Sequence, residues 1–235
     1  MGTPFEIRRE VALDAGPDEV WAAITTGPGL AAWFMPMEVD PESPMVRSWE
    51  PGRRLAVRTP PAADGSFQSF DYRIDDAGPG RAVLRFVHSG FTADDWGDEF
   101  EAVTGLGWDM YLHTLRQYLA HFPGRPAVYL EAEGPPASAK AEAWPRLVAA
   151  LGLAEPVEVG APVRFGLPGV GPVEAVVDYA TASFVGLRAP LALIRFHGRS
   201  VQGLPVAVSQ HTYVTTFDVA SAHRGWETWL AGVFA

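Results

Sequence analysis

The side chains best suited to chemistry in this sequence are aromatic rings and histidine, and they fall in short runs with regular spacing. In GLGWDMYLHTLRQYL (105–119), Trp108, Leu112, Leu115 and Leu119 recur at helical intervals with Tyr111 alongside. In RAVLRFVH (81–88), Ala82, Leu84, Phe86 and His88 share one side of an alternating segment. In FQSFDYRID (67–75), Phe70, Tyr72 and Ile74 oppose Asp71, Arg73 and Asp75. Trp33 and Phe34 lie near the end of GPGLAAWFMP, and Trp96 stands in the connection before the helix. Such a set reads in two ways. It is the packed core of a helix on a sheet, or it is the wall of a ligand cavity, where Trp and Tyr offer large apolar area with one polar tip. His88 is the candidate for proton transfer or for holding a ligand carbonyl, since a free imidazole titrates near about pH 6.5. The competing role is a ring held by structural hydrogen bonds at a strand end.

Other chemistries find no pattern. Zero cysteines exclude a disulfide framework, thiol catalysis and cysteine-ligated zinc. The histidines at 88, 113, 121, 197, 211 and 223 form no HxH, HxxxH or HExxH arrangement, so no metal is expected. No GxSxG is present, and the segments GPGL, GVGP and TGLG lack the strand-to-helix setting of a phosphate-binding loop. No cofactor is expected. A formal net charge of −10 with no run of Lys or Arg argues against nucleic acid as a partner. No apolar run nears the roughly 20 residues of a membrane span, and charges occupy the N-terminal stretch where a signal peptide would be apolar, so a cytoplasmic protein is expected.

The elements that must position these residues follow from pattern and punctuation. EIRREVAL (6–13) alternates as a strand. Pro17 opens a helix that carries Val20, Trp21 and Ile24 on one face, and Gly27, Pro28, Gly29 and Pro36 limit the next helix to a brief one. RRLAVRT (53–59), 67–75 and 81–88 alternate as antiparallel strands with one charged face. HFPGRP (121–126) is the best linker. Beyond it, AVYLEAE (127–133) reads as a strand and AEAWPRLVAAL as a helix. Five further strands are expected at 162–167, 173–180, 183–189, 191–197 and 205–214, before the closing helix HRGWETWLAGVF.

The second half therefore echoes the first. Glu19-Val20-Trp21 returns as Glu142-Ala143-Trp144, and Gly107-Trp108-Asp109-x-Tyr111-Leu112 as Gly225-Trp226-Glu227-x-Trp229-Leu230. These echoes predict a tandem duplication with domains at 1–124 and 126–235. The alternative is a single domain with an unrelated β-rich extension.

Three stretches together, VALDAGPDEVWAAITTGPGLAAWFMP, WEPGRRLAVRT and RAVLRFVHSGF with the GW helix after it, resemble the START-like (SRPBCC) superfamily. Within it they resemble the branch of homologues of the activator of heat shock protein 90 ATPase, over residues 5–122. The resemblance implies an α+β helix-grip fold, a curved antiparallel sheet around a long C-terminal helix, enclosing a hydrophobic cavity. The repeat extends that expectation to a second, divergent grip. One departure stands out. Only MEVDPESPMVRS (37–48) separates the Trp33-Phe34 segment from the strand at Trp49, where members usually carry an extra hairpin, so a smaller sheet and a cavity open on one side are expected.

On this footing the cavity candidates are Trp33, Phe34, Phe70, Tyr72, Phe86, His88, Trp96, Trp108, Tyr111, Leu112 and Leu115. The favoured function is binding of a hydrophobic small molecule such as a lipid or polyketide, without catalysis. The alternatives implied by the resemblance are a cyclase or aromatase-like enzyme using His88, Tyr72, His211 or Tyr213, and a module that stimulates a chaperone ATPase, with the chaperone as partner.

Overall fold

In the computed structural model, which describes residues 3–92, 97–214 and 216–235, with the side chains of 97–101 left aside, the chain divides into two compact units, Met1–Arg125 and Pro126–Ala235. In the first, β1 (Thr3–Leu13) leads into α1 (Pro17–Thr25) and α2 (Gly27–Ala31). Then come β2 (Val46–Glu50), β3 (Arg54–Arg58), β4 (Phe67–Asp76), β5 (Ala82–Thr92) and the long helix α3 (Gly97–His121).

Local chemistry sets the two short helices. Pro17 occupies the first turn of α1, and the Glu19 carboxylate accepts from the Gly16 N–H at 2.9 Å, which satisfies one of the donors a helix start leaves open. The Thr26 hydroxyl accepts from the Gly29 N–H at 3.1 Å and starts α2 at once, so the two helices form a tight corner.

The five strands are ordered β1-β5-β4-β3-β2, all antiparallel, with the first strand closing against the last. Ile7, Leu84, Phe86 and Leu55 are buried on the inner face, and α3 lies on that face, where the ring of Trp108 sits 4.3 Å from that of Phe86. Gly90, in the HSGF stretch, is a glycine for lack of room: a Cβ there would come within 2.2 Å of the Phe67 carbonyl oxygen and 2.9 Å of the Phe5 ring. The outer face is charged. Arg85 bridges Glu10 and Asp75, and Arg54 reaches Asp71, across neighbouring strands.

The second unit repeats the order with one strand more. It runs β6 (Val128–Glu133), a 3-10 turn (Pro136–Ala139), α4 (Ala143–Ala150), β7 (Pro162–Leu167), β8 (Gly171–Ala180), β9 (Phe184–Ala189), β10 (Ala192–His197), β11 (Ala207–Thr212) and α5 (Val219–Val233). The sheet order is β6-β11-β10-β9-β8-β7, so counting away from the first strand the two sheets match until β7, which has no counterpart in the first unit. Both units are α+β helix grips. Asp218 caps α5 by accepting from the Ser221 N–H at 3.0 Å, and Arg146 of α4 donates to the Val233 and Ala235 carbonyls at its other end. A buried bidentate pair, Arg195 with Asp178 at 3.0 Å for each bond, ties β10 to β8.

The interior of the second unit holds a contiguous apolar core. Phe165 of β7 and Phe196 of β10 pack on Trp226 and Trp229 of α5, with ring centroids 5.2–6.0 Å apart, inside one contiguous apolar cluster. Its extra strand supplies Phe165. At the same place the β7–β8 turn presses on the helix: a Cβ at Gly225 would meet the Pro168 carbonyl oxygen at 2.5 Å and Leu167 at 3.2 Å. Gly107, its echo in the first unit, has nothing within 4 Å of where a Cβ would stand.

Candidate ligand pocket in the first unit

With no strand beyond β2, the first unit leaves a pocket of about 360 Å³ between α3, the α1–α2 corner and the β2–β3–β4 end of the sheet. Ile24 and Leu30 come from the corner. Leu55, Val57, Phe70 and Tyr72 come from β3 and β4, and Trp108 from α3. The remaining wall is the irregular segment after α2, which contributes Phe34, Met37, Glu38, Val39, Asp40, Ser43 and Met45 before Val46 begins β2. Binding pockets for small molecules commonly fall between about 300 and 1,000 Å³, with mostly apolar walls and a few polar groups.

One hydrogen-bonded chain holds the back wall. The Trp108 indole N–H donates to His88 Nδ1 at 2.9 Å, so that nitrogen carries no proton. The proton is therefore on Nε2, which donates to Gln68 Oε1 at 2.6 Å. The same imidazole stacks on Phe70, centroids 4.5 Å apart and planes 19° off parallel, and meets the Phe5 ring edge-on. Burial lowers the His88 pKa from its ordinary 6.5 to about 4, because the charged form would lose its water. His88 is thus a neutral positioning residue for Trp108 and Phe70. Phe34 stacks on the other side of Trp108 at 5.6 Å and touches Tyr111 edge-on at 4.7 Å.

Tyr72 is the polar group of the wall. Its ring packs on Phe86 at 4.9 Å, and its hydroxyl makes no hydrogen bond to a described residue. The side chain is half-buried by area yet its pKa is pushed up by desolvation, two observations that agree if what surface remains is pocket wall.

Among the residues singled out from the sequence, Phe34, Phe70, Tyr72 and Trp108 line the pocket together. Phe86 and His88 stand directly behind them. Trp33 is in the core, with its indole N–H given to the Ala23 carbonyl at 2.9 Å, and Leu112 and Leu115 are buried on α3. Tyr111 flanks the pocket through Phe34, and Trp96 lies outside the described residues. His211 and Tyr213, the other polar candidates, belong to the second unit. Sequence reasoning missed Ile24 and Leu30, whose helical periodicity marks them as core, and the whole segment from Met37 to Met45, which has no period to read. The available signal was the short interval between Phe34 and Trp49.

No family model matches the sequence, and no curated protein matches it. Among solved structures the chain is similar to the Aha1 dimer from Colwellia psychrerythraea, with 16% identity and a TM-score of 0.39 over 49% of this chain and 96% of that one. It is also similar to DynU16, a protein of the dynemicin biosynthetic locus, with 16% identity and a TM-score of 0.39 over 97% of this chain and 95% of that one. A third similar structure is the di-domain ARO/CYC BexL from the BE-7585A biosynthetic pathway, with 14% identity and a TM-score of 0.40 over 96% of this chain and 93% of that one.

Proposed function

We propose that the first unit binds a hydrophobic small molecule in the pocket between α3 and the β2–β3–β4 end of the sheet, and that binding rather than turnover is its role. The observation that carries this reading is the cavity itself, about 360 Å³ with walls that are chiefly Ile, Leu, Val, Met and aromatic. Burying apolar ligand surface there is favourable by about 25 cal/mol per Å² before the costs of association are met. The tied-down state of His88 supports binding over acid–base chemistry. Both ring nitrogens are engaged and its pKa is lowered to about 4, so at neutral pH it neither holds a spare proton nor presents a free lone pair.

The test is calorimetry or native mass spectrometry of the whole protein with a panel of lipids, polyketide-like aromatics and other apolar metabolites. One molecule bound per chain is expected. Binding should disappear in Val57→Trp, which places an indole in the pocket, while circular dichroism stays that of the folded protein. A folded wild-type chain that binds no member of the panel, or a Val57→Trp variant that binds as well, would count against the pocket.

A further inference from the structure

The charge of the pocket is one-sided. Among the described residues, Glu38 and Asp40 are its only ionisable lining residues besides Tyr72, and no described Lys, Arg or His is in the wall. Neither carboxylate forms an ion pair with a described residue, and the one hydrogen bond to either is that from the Glu42 N–H to Asp40 at 2.9 Å. Both are exposed and belong to the segment that forms the open side, so they stand at the mouth while the aromatic wall lies within. That wall offers the rings of Phe34, Phe70, Tyr72 and Trp108. Ring faces are electron-rich and attract cations, and uncompensated carboxylates do the same at longer range. Deeper in the wall, the Tyr72 hydroxyl is a polar group without a partner among the described residues.

Building on the binding role proposed above, we infer that the pocket takes a hydrophobic molecule bearing a protonated amine or similar cationic group, accepts neutral analogues less well, and turns away carboxylates and phosphates. An anionic head would lie among two carboxylates and four ring faces, with no cation among the described residues of the wall to receive it. A fatty acid or an acyl phosphate is therefore the wrong class of ligand, and a hydrophobic amine the right one.

The experiment uses three probes of one shape, biphenyl-methylamine, biphenyl-methanol and biphenyl-carboxylate, titrated calorimetrically into the full chain at low and high salt. The expected order is amine, then alcohol, then carboxylate, with roughly tenfold in Kd between the ends at low salt, since exposed charges interact modestly. The spread should shrink in high salt and collapse in the Glu38→Gln/Asp40→Asn double variant, whose changes lie on exposed side chains and keep the size of each. Tyr72→Phe should weaken the alcohol without altering the charge preference. Equal binding of all three, or a carboxylate preferred over the amine, would overturn the charge inference and leave the pocket standing. An order that survives the double variant would overturn the role given to Glu38 and Asp40. If none of the three binds while the panel above does bind, the inference fails alone; if nothing binds at all, both readings fall.

Discussion

His88 joins three parts of the first unit through one ring, accepting from α3 at Trp108, donating to β4 at Gln68 and stacking on Phe70. Its face was readable from strand alternation. Its partners were not, because Gln68 and Trp108 meet it only through the register of β4 on β5 and the seating of α3. The second unit solves the same problem with an amide: Trp226 donates to Gln210 Oε1 at 2.8 Å, and Gln210 donates to Thr212 at 2.7 Å. An imidazole in this place has a pH cost that an amide lacks. With a folded pKa of about 4 against an ordinary 6.5, His88 leaves the unfolded chain holding the extra proton between those values. Its contribution to stability is whole above about pH 6.5 and is lost as the pH falls toward 4. His197, lowered to about 3 by burial and by Arg199, Arg195 and His211, acts with the same sign. Urea midpoints measured from neutral pH down to about pH 4.5 should therefore fall in the wild type and fall less in His88→Gln, which imitates Gln210. Identical slopes in the two proteins would show that His88 is not held neutral.

The GW echo lies within two helices, α3 and α5, whose surroundings differ by one strand. Alternation and turn residues located nearly every strand in the sequence, yet the number of strands that would wrap each helix was beyond such patterns, since it depends on whether the chain after α2 and after α4 pairs or stays irregular. Here the 37–45 segment stays irregular and the 162–167 segment pairs as β7. Gly107 and Gly225 report the result. Ala at position 107 enters open space in a helix and should stabilise by up to about 1 kcal/mol through helix propensity. Ala at position 225 would press on the Pro168 carbonyl and Leu167, and should destabilise by about 1–3 kcal/mol as backbone shifts to admit it. Thermal or urea unfolding of the two variants decides this. Equal effects would mean that β7 does not close on its helix as described.

The chain as a whole thus carries two grips of one plan, the first with a pocket beside its helix and the second with an aromatic cluster on its helix. The repeat was visible in short echoes because each unit buries a tryptophan of its closing helix against its sheet, Trp108 in one and Trp226 in the other. The pocket was readable only indirectly, as a missing length of sequence, since a cavity is made by what does not fill it. The residues between α2 and β2 have an oxidative chemistry of their own. Met35, Met37 and Met45 are 39%, 45% and 39% exposed, Met37 and Met45 are in the pocket wall, and Met110 is fully buried. With no cysteine in the sequence to react first, dilute peroxide should convert these thioethers to sulfoxides before Met110. A sulfoxide is polar and strongly solvated, so an oxidised rim should weaken the hold on an apolar guest, and methionine sulfoxide reductase should restore it. Peptide mapping alongside a binding titration would follow both. Unchanged affinity after complete conversion of Met37 and Met45 would place the guest's contacts deeper, on the aromatic wall alone.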